Sequence, residues 1–141
     1  MKQKRISVIC RSFALCVAVI FAGLSVSCGN NGDNNGLPEE ENVVYLYNLY
    51  VRGDYSGYVA AMASCDSMPM NYRQQMQFML KMQAHKMRKE KGGVSAVSVA
   101  RMEPQPGDSM VNVYINVVYK DSTEEEILFP VVKKNGEWRI R

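Results

Sequence analysis

The sequence predicts an α+β domain in which N-terminal helices pack on a four-stranded antiparallel sheet. Between residues 42 and 91, apolar residues recur at steps of three and four, which is the spacing of one helix face. After Gly93 the apolar residues alternate with polar ones, which is the spacing of a strand with one buried face. The chain has 141 residues, and removal of an export segment leaves enough for one domain with a modest core.

Two short helices are predicted first, at residues 42–51 and 55–63. Both carry apolar residues at helical spacing, and three glutamates before the first helix suit the positive end of its dipole. Gly53 and Asp54 separate the two helices, because both residue types favour turns.

The third helix is predicted to be the longest, at residues 71–91. Asn71 is the expected N-cap, and Gln74 would complete a capping box. Gly92 and Gly93 end the helix. Its apolar stripe consists of Tyr72, Met76, Met79, Leu80, Ala84 and Met87. We expect this helix to pack on the sheet.

Four strands are predicted at residues 94–102, 111–119, 124–132 and 137–141. The second strand has the most regular alternation, and Asn135-Gly136 predicts a tight hairpin before the last strand. Pro130 cannot donate a hydrogen bond to a neighbouring strand. It therefore predicts an edge position or a bulge in the third strand.

The first 27 residues have the layout of a secretory signal. Four basic residues lie within the first eleven positions, and an apolar run follows at residues 13–24. A spanning helix needs about 20 apolar residues, so this run is too short to cross a bilayer. We predict a signal peptide at residues 1–27.

The end of this signal resembles the lipobox of bacterial lipoproteins. It reads LSVSCG, with small residues before a cysteine. The resemblance implies that the Cys28 thiol is acylated and becomes the mature N-terminus, with ordinary signal-peptide cleavage as the alternative. Residues 28–41 contain almost no apolar side chains and would form a flexible tether. The protein would be anchored in the bacterial cell envelope. In some bacteria an acidic residue after the lipidated cysteine retains lipoproteins at the inner membrane. Gly29 occupies that position here and is not acidic. This favours the outer membrane, with the domain facing the periplasm or the exterior.

The charge and cysteine counts argue against nucleic-acid binding and against an internal disulfide framework. Four of the 17 Lys and Arg residues lie in the predicted signal, so the mature chain would carry 13 basic and 14 acidic side chains. This balance gives no electrostatic support for nucleic-acid binding. Cys65 would be the one thiol left after lipidation, which excludes an internal disulfide framework. It is either a small buried hydrophobe or a reactive thiol.

No residue pattern predicts catalysis, a metal site or a cofactor. His85 is the one histidine, and a metal site needs several ligands. The acidic run at residues 124–126 is interpreted as a solvated strand start. Seven methionines at residues 62–87 are interpreted as core filling. The alternatives are an exposed groove for a partner, involving Met68, Met70 and Met82, or a site for monovalent copper.

Three segments together resemble a group of small bacterial lipoproteins. They are the RGDY break at residues 52–55, VYINVVYKDS at residues 113–122 and the closing hairpin VKKNGEWRI with Gly136 and Trp138. That group has the cystatin-like or nuclear-transport-factor-2-like (NTF2-like) fold and includes domains labelled as lumazine-binding. The resemblance implies a curved sheet wrapped around helices in a cone. Enzymes of this shape need an acid or base inside the cone, and no residue here matches their motifs.

The function predicted from the sequence is non-enzymatic binding of an unknown small ligand or envelope protein by a membrane-anchored domain at residues 42–141. The alternative is an isomerase or dehydratase of the cone-shaped fold that acts on a small apolar substrate. Tyrosines combine apolar area with a polar tip, which suits the mouth of a pocket. The residues predicted to lie near a cavity are Tyr50, Tyr58, Met76, Phe129 and Trp138.

Overall fold

The computed structural model describes residues 36–107 and 109–141. The predicted signal peptide and the predicted lipidation site Cys28 lie outside the described residues. Three helices precede four strands, as the sequence predicts. The elements are α1 (Glu40–Val51), α2 (Tyr55–Ala60), α3 (Met70–Lys91), β1 (Val94–Pro104), β2 (Met110–Tyr119), β3 (Glu124–Lys134) and β4 (Glu137–Ile140).

The sheet is an antiparallel meander with strand order β1-β2-β3-β4. Every second residue of β2 is buried, so the alternation in the sequence corresponds to one inward face. The pairing of β1 with β2 shifts between Val94 and Ala96 and again between Val99 and Arg101. Such irregularities bend a strand and increase its twist.

Helix α1 lies against the sheet and supplies five of the fourteen buried residues of the core cluster. Its buried side chains are Val43, Leu46, Tyr47, Leu49 and Tyr50. The Tyr47 ring meets the Phe129 ring of β3 edge-on, with the ring centroids 5.7 Å apart. Across this contact the core continues into the inward residues of β2 and β3.

Helix α3 packs against α2 and α1 instead of lying on the sheet, so the expected packing was wrong. Within α3, which the structure describes in full, Ala84 is the one buried residue. Tyr72 and Met79 of the predicted stripe are exposed, as are Phe78 and Met82. Because α1 lies against the sheet, α3 forms an outer layer and buries mainly the side that faces the other helices.

The starts and ends of two helices differ from the prediction for local reasons. Helix α3 follows Pro69, which has an extended ψ of 151°, and no side chain caps it. Asn71 therefore lies inside the first turn, and the predicted capping box is wrong. Helix α2 ends at Ala60 because the next residues pair with β4. The Ala63 amide donates to the Ile140 carbonyl at 2.7 Å.

Pro130 lies in β3, an interior strand whose register with β2 is continuous, so the predicted edge position or bulge is wrong. The Arg141 amide donates to the Pro130 carbonyl at 3.1 Å, on the β4 side. In an extended strand the nitrogen and carbonyl of one residue point the same way. The Pro130 nitrogen, which has no hydrogen to donate, therefore faces the end of β4. The hydrogen bonds between β3 and β2 are not affected.

Within the described ranges, no helix combines the length and the apolar content that crossing a bilayer requires.

Candidate functional site

A small cavity lies where the end of α1, the second half of α3, the start of β1 and the end of β2 meet. We call it the tyrosine cavity. Its volume is about 140 Å³. Its walls include Tyr50, Ala84, Met87, Arg88, Gly93 and Lys120. It combines one phenol and two cations with apolar side chains.

The wall of this cavity depends on how α3 ends. Gly92 and Gly93 have positive φ angles of 76° and 95°, which let the chain turn from the helix directly into β1. The Lys120 amide at the end of β2 donates to the Gly93 carbonyl at 2.9 Å. A Cβ atom at position 92 would lie 3.1 Å from the Cβ atom of Lys120. Glycine therefore permits the close approach that places Lys120 beside α3.

Tyr50 forms the inner wall of the tyrosine cavity. Its side chain is buried, and its ring packs beside those of Tyr47, Tyr55 and Tyr58, with centroid distances of 5.9, 6.2 and 6.0 Å. The hydroxyl oxygen is fully enclosed and has no hydrogen-bond partner among the described residues. Burial raises the pKa of Tyr50, Tyr55 adds to the rise, and the charge of Arg88 opposes it.

Arg88 also lines a second, wider hollow, which we call the basic cleft. It has a volume of about 560 Å³. Its lining consists of Gly53, Tyr55, Lys81, Met82, His85 and Arg88. A Cβ atom at Gly53 would lie 3.8 Å from the Tyr55 hydroxyl and 3.9 Å from Arg88 Nη2. The two polar groups therefore both lie close to Gly53, in the lining of the cleft.

The two hollows carry positive charge without a compensating acid. No carboxylate lines either of them. In the part of the chain that the structure describes, no carboxylate lies within 4.0 Å of the charged groups of Lys81, Arg88 or Lys120. A ligand in either hollow would therefore meet cations that have no ion-pair partner.

A neighbouring cluster, by contrast, is electrically balanced. The Tyr119 hydroxyl donates to Glu125 Oε2 at 2.7 Å, and Lys91 forms an ion pair with the same carboxylate. The hydrogen bond from Lys91, followed by that from Tyr119, lowers the pKa of Glu125. Burial and the bond to Glu125 raise the pKa of Tyr119. Lys91 is thus already paired, unlike Arg88 and Lys120.

The residues predicted to lie near a cavity are distributed over several places. Tyr50 lines the tyrosine cavity, and Tyr58 touches its ring. Phe129 is separated from Tyr50 by the ring of Tyr47. Trp138 lines a different hollow, beside Tyr45 and Leu46, and Met76 is half-buried on α3.

Sequence reasoning did not select Arg88 and Lys120. The sequence shows basic residues at the end of α3, followed by two glycines. This pattern indicates a helix end as readily as a binding site. Lys120 is 32 positions from Arg88 in the sequence, and only strand pairing brings it to the cavity.

Cys65 is buried, and His85 is exposed in the basic cleft. Among the described residues no group of three or more potential ligands could hold a metal ion.

Comparison with known proteins adds one structural relative. No protein-family model matches the sequence, and no curated protein matches it. The domain is similar to a crystal structure from Campylobacter jejuni of a protein named as an NTF2-like transpeptidase, with a TM-score of 0.58. The match covers 71% of this chain and 94% of that chain. The chain has the NTF2-like fold. At 12% sequence identity the similarity establishes the fold alone. The tyrosine cavity of this NTF2-like domain lies between its helices and one end of its sheet.

Proposed function

We propose that the protein is a lipid-anchored lipoprotein of the bacterial cell envelope whose NTF2-like domain binds a small ligand without transforming it. The ligand site is the tyrosine cavity together with the adjoining basic cleft. The observation that carries this proposal is the enclosed Tyr50 hydroxyl, which has no partner among the described residues.

A buried polar group without a hydrogen bond costs about 1–3 kcal/mol of stability. Most buried polar groups in folded proteins are paired, so an exception needs an explanation. Tyr50 lines a cavity that opens beside Arg88. A ligand that accepts a hydrogen bond from Tyr50 would remove this cost, and the relief would contribute to binding.

The titratable groups of the domain support binding over acid–base catalysis. A general acid or base is commonly a carboxyl or imidazole group whose pKa is moved toward neutrality by burial. In the described ranges the buried titratable side chains are tyrosines and the Cys65 thiol, and no carboxyl or imidazole group is buried. The carboxylates with shifted pKa values are Asp66, Asp121 and Glu125, and hydrogen bonds lower the pKa of each. These groups are therefore poorly suited to exchange protons at neutral pH.

The name of the Campylobacter relative favours a second function, acyl transfer by a transpeptidase. That chemistry requires a nucleophile within reach of a base. Cys65 is buried in the 3₁₀ turn Cys65–Ser67 and lines neither hollow. His85 lies in the basic cleft, whose lining includes no serine, threonine or cysteine. The present arrangement thus gives more support to binding, and the absence of a buried carboxyl or imidazole group among the described residues disfavours an isomerase or dehydratase.

The anchor is supported by the sequence of the N-terminus. A basic start, an apolar run and small residues before Cys28 are the parts of a lipoprotein signal. Helix α1 begins at Glu40, so the predicted tether would connect it to the lipid.

The anchor is tested by the intact mass of the protein from membranes of its native producer. We expect residues 28–141 plus a diacylglyceryl group and an additional acyl chain. Cys28→Ala should abolish both the added mass and membrane retention, whereas Cys65→Ala should keep both. An unlipidated mature chain in the soluble fraction would contradict the anchor.

Binding is tested by native mass spectrometry of the purified protein, followed by extraction and identification of any retained small molecule. Ala84→Leu adds volume to the cavity wall and should abolish retention. Ala100→Leu adds the same volume at an exposed position of β1 and should not. Release of a chemically altered product by the wild-type protein would favour the enzyme instead.

A further inference from the structure

We propose that the ligand is an anion whose carboxylate or phosphate group binds between Arg88, Lys120 and the hydroxyl of Tyr50. This inference rests on the proposed binding function and adds the chemical class of the ligand. Three independent features of the site lead to it: its charge, its buried donor and its size.

The charge of the site disfavours a cationic ligand and favours an anionic one. Arg88 and Lys120 line the tyrosine cavity, and Lys81 lines the basic cleft. None has a carboxylate partner within the described ranges. The nearby carboxylate of Glu125 is already paired with Lys91. Guanidinium groups bind carboxylates and phosphates through two parallel hydrogen bonds, which makes Arg88 the principal recognition group.

Tyr50 lines the cavity, and its enclosed hydroxyl is a hydrogen-bond donor without a partner among the described residues. Because burial raises its pKa, the hydroxyl stays protonated at physiological pH and can donate a hydrogen bond. A ligand atom beside it also meets the positive field of Arg88, so the favoured atom is an anionic oxygen. Hydrogen bonds that involve a charged group are about twice as strong as neutral ones.

The size of the cavity suits a headgroup and not a whole ligand. A volume of about 140 Å³ corresponds to a few water molecules, since each occupies about 30 Å³ in the liquid. A carboxylate or phosphate group fits within this volume. The remainder of the ligand would extend past Arg88 into the basic cleft, where Tyr55 and Met82 offer apolar surface. The predicted ligand is therefore a small amphiphilic anion.

The test uses the full lipidated protein in detergent micelles, labelled with ¹³C at the methionine methyl groups. Met87 lines the tyrosine cavity, so its methyl resonance, assigned with Met87→Leu, reports binding there. The probes are butanoate, butyl phosphate, butan-1-ol and butylammonium. We expect saturable shifts of the Met87 resonance with at least one of the two anions and none with butylammonium. Comparison of butanoate with butyl phosphate distinguishes the two headgroups.

Four variants separate the roles of the residues. Arg88→Gln should weaken anion binding by about 10- to 100-fold, and Tyr50→Phe by about 10-fold. Lys120→Gln, at an exposed position, should weaken it by about 3- to 10-fold and provides a second test if Arg88→Gln does not fold. The control Lys89→Gln removes the same charge from an exposed position of α3 outside both hollows and should leave the affinity unchanged.

The alternative outcomes are distinct. If butan-1-ol binds as tightly as the anions and Arg88→Gln changes neither affinity, the anion inference is wrong while ligand binding in the cavity stands. Preferential binding of butylammonium would also overturn it. If none of the four probes shifts the Met87 resonance, both the anion inference and the proposed cavity site fail.

Discussion

Tyr119 and Glu125 join the two strands of a hairpin through a 2.7 Å hydrogen bond from the phenol to the carboxylate. Lys91, the last residue of α3, forms an ion pair with the same carboxylate, and its ammonium group lies 4.2 Å from the centroid of the Tyr119 ring. This contact fixes the end of α3 to the β2–β3 hairpin. Lys120 follows Tyr119 directly, so the same contact positions a wall of the tyrosine cavity.

Removal of the Tyr119 hydroxyl should destabilise the protein. Tyr119→Phe deletes a charge-assisted hydrogen bond made by a buried ring, so we expect the free energy of unfolding to fall by about 1–2 kcal/mol. Tyr45→Phe removes a hydroxyl from a ring that is 55% exposed. This variant should change the free energy of unfolding by less than about 0.5 kcal/mol. Urea unfolding of both variants measures the difference, and equal effects would contradict a role for the Glu125 contact.

Removal of the Tyr50 hydroxyl should have the opposite effect on stability. In the ligand-free protein Tyr50→Phe eliminates a buried hydroxyl that has no partner among the described residues, so the free energy of unfolding should rise by about 1–3 kcal/mol. The same variant should bind butanoate or butyl phosphate more weakly. A gain in stability together with a loss of binding would show that the Tyr50 hydroxyl serves ligand binding and not the stability of the fold. A large loss of stability in Tyr50→Phe would show that its hydroxyl has a structural partner.

Acid should destabilise the domain partly through Glu125. Hydrogen bonds from Lys91 and Tyr119 lower the pKa of Glu125 below its ordinary value of 4.5. Its ionised form therefore stabilises the folded state above pH 4.5, and this contribution is lost as the pH falls through the lowered value. Urea unfolding midpoints between pH 6 and pH 3 should decline less steeply in Glu125→Gln than in the wild type. Glu124→Gln, which removes a charge without these hydrogen bonds, should follow the wild type.

Alkali should destabilise the domain through the half-buried Tyr58. Burial and the neighbouring Tyr50 raise the pKa of Tyr58 from 10.0 to about 12. Between these values the folded chain keeps a proton that the unfolded chain has lost. Stability is therefore highest below pH 10.0 and falls as the pH rises toward 12. The loss of unfolding free energy between pH 8 and pH 11 should be smaller in Tyr58→Phe, and an identical loss in both proteins would contradict this assignment.

The glycine at the end of α3 should be sensitive to substitution for two reasons. Gly92 has a φ of 76°, which costs other residues about 1–2 kcal/mol, and an added Cβ would lie 3.1 Å from Lys120 Cβ. Gly107 has a φ of 80° but nothing within 4 Å of an added Cβ. Gly92→Ala should therefore lower the free energy of unfolding more than Gly107→Ala does. Equal losses would show that the contact with Lys120 relaxes without cost.

The sequence predicted those features that depend on residues close together in the chain. The alternation of β2, the helical spacing of α1 and the Asn135-Gly136 turn each describe a local conformation, and the structure has all three. Pro130 was misplaced because its effect depends on which side of β3 its nitrogen faces. The packing of α3 was misjudged because an apolar stripe does not show which of two surfaces it will cover.

By itself, the sequence determined the order of the elements and the α+β class, since backbone periodicity requires only local information. It also supplies the N-terminal pattern on which the proposed anchor rests. Only the tertiary structure brought Arg88 and Lys120 to one cavity and enclosed the Tyr50 hydroxyl. These residues come from α3, the end of β2 and α1, and their proximity depends on how the helices stack on the sheet. The burial and charge of a site arise from neighbours distant in sequence, so no local pattern could have predicted them.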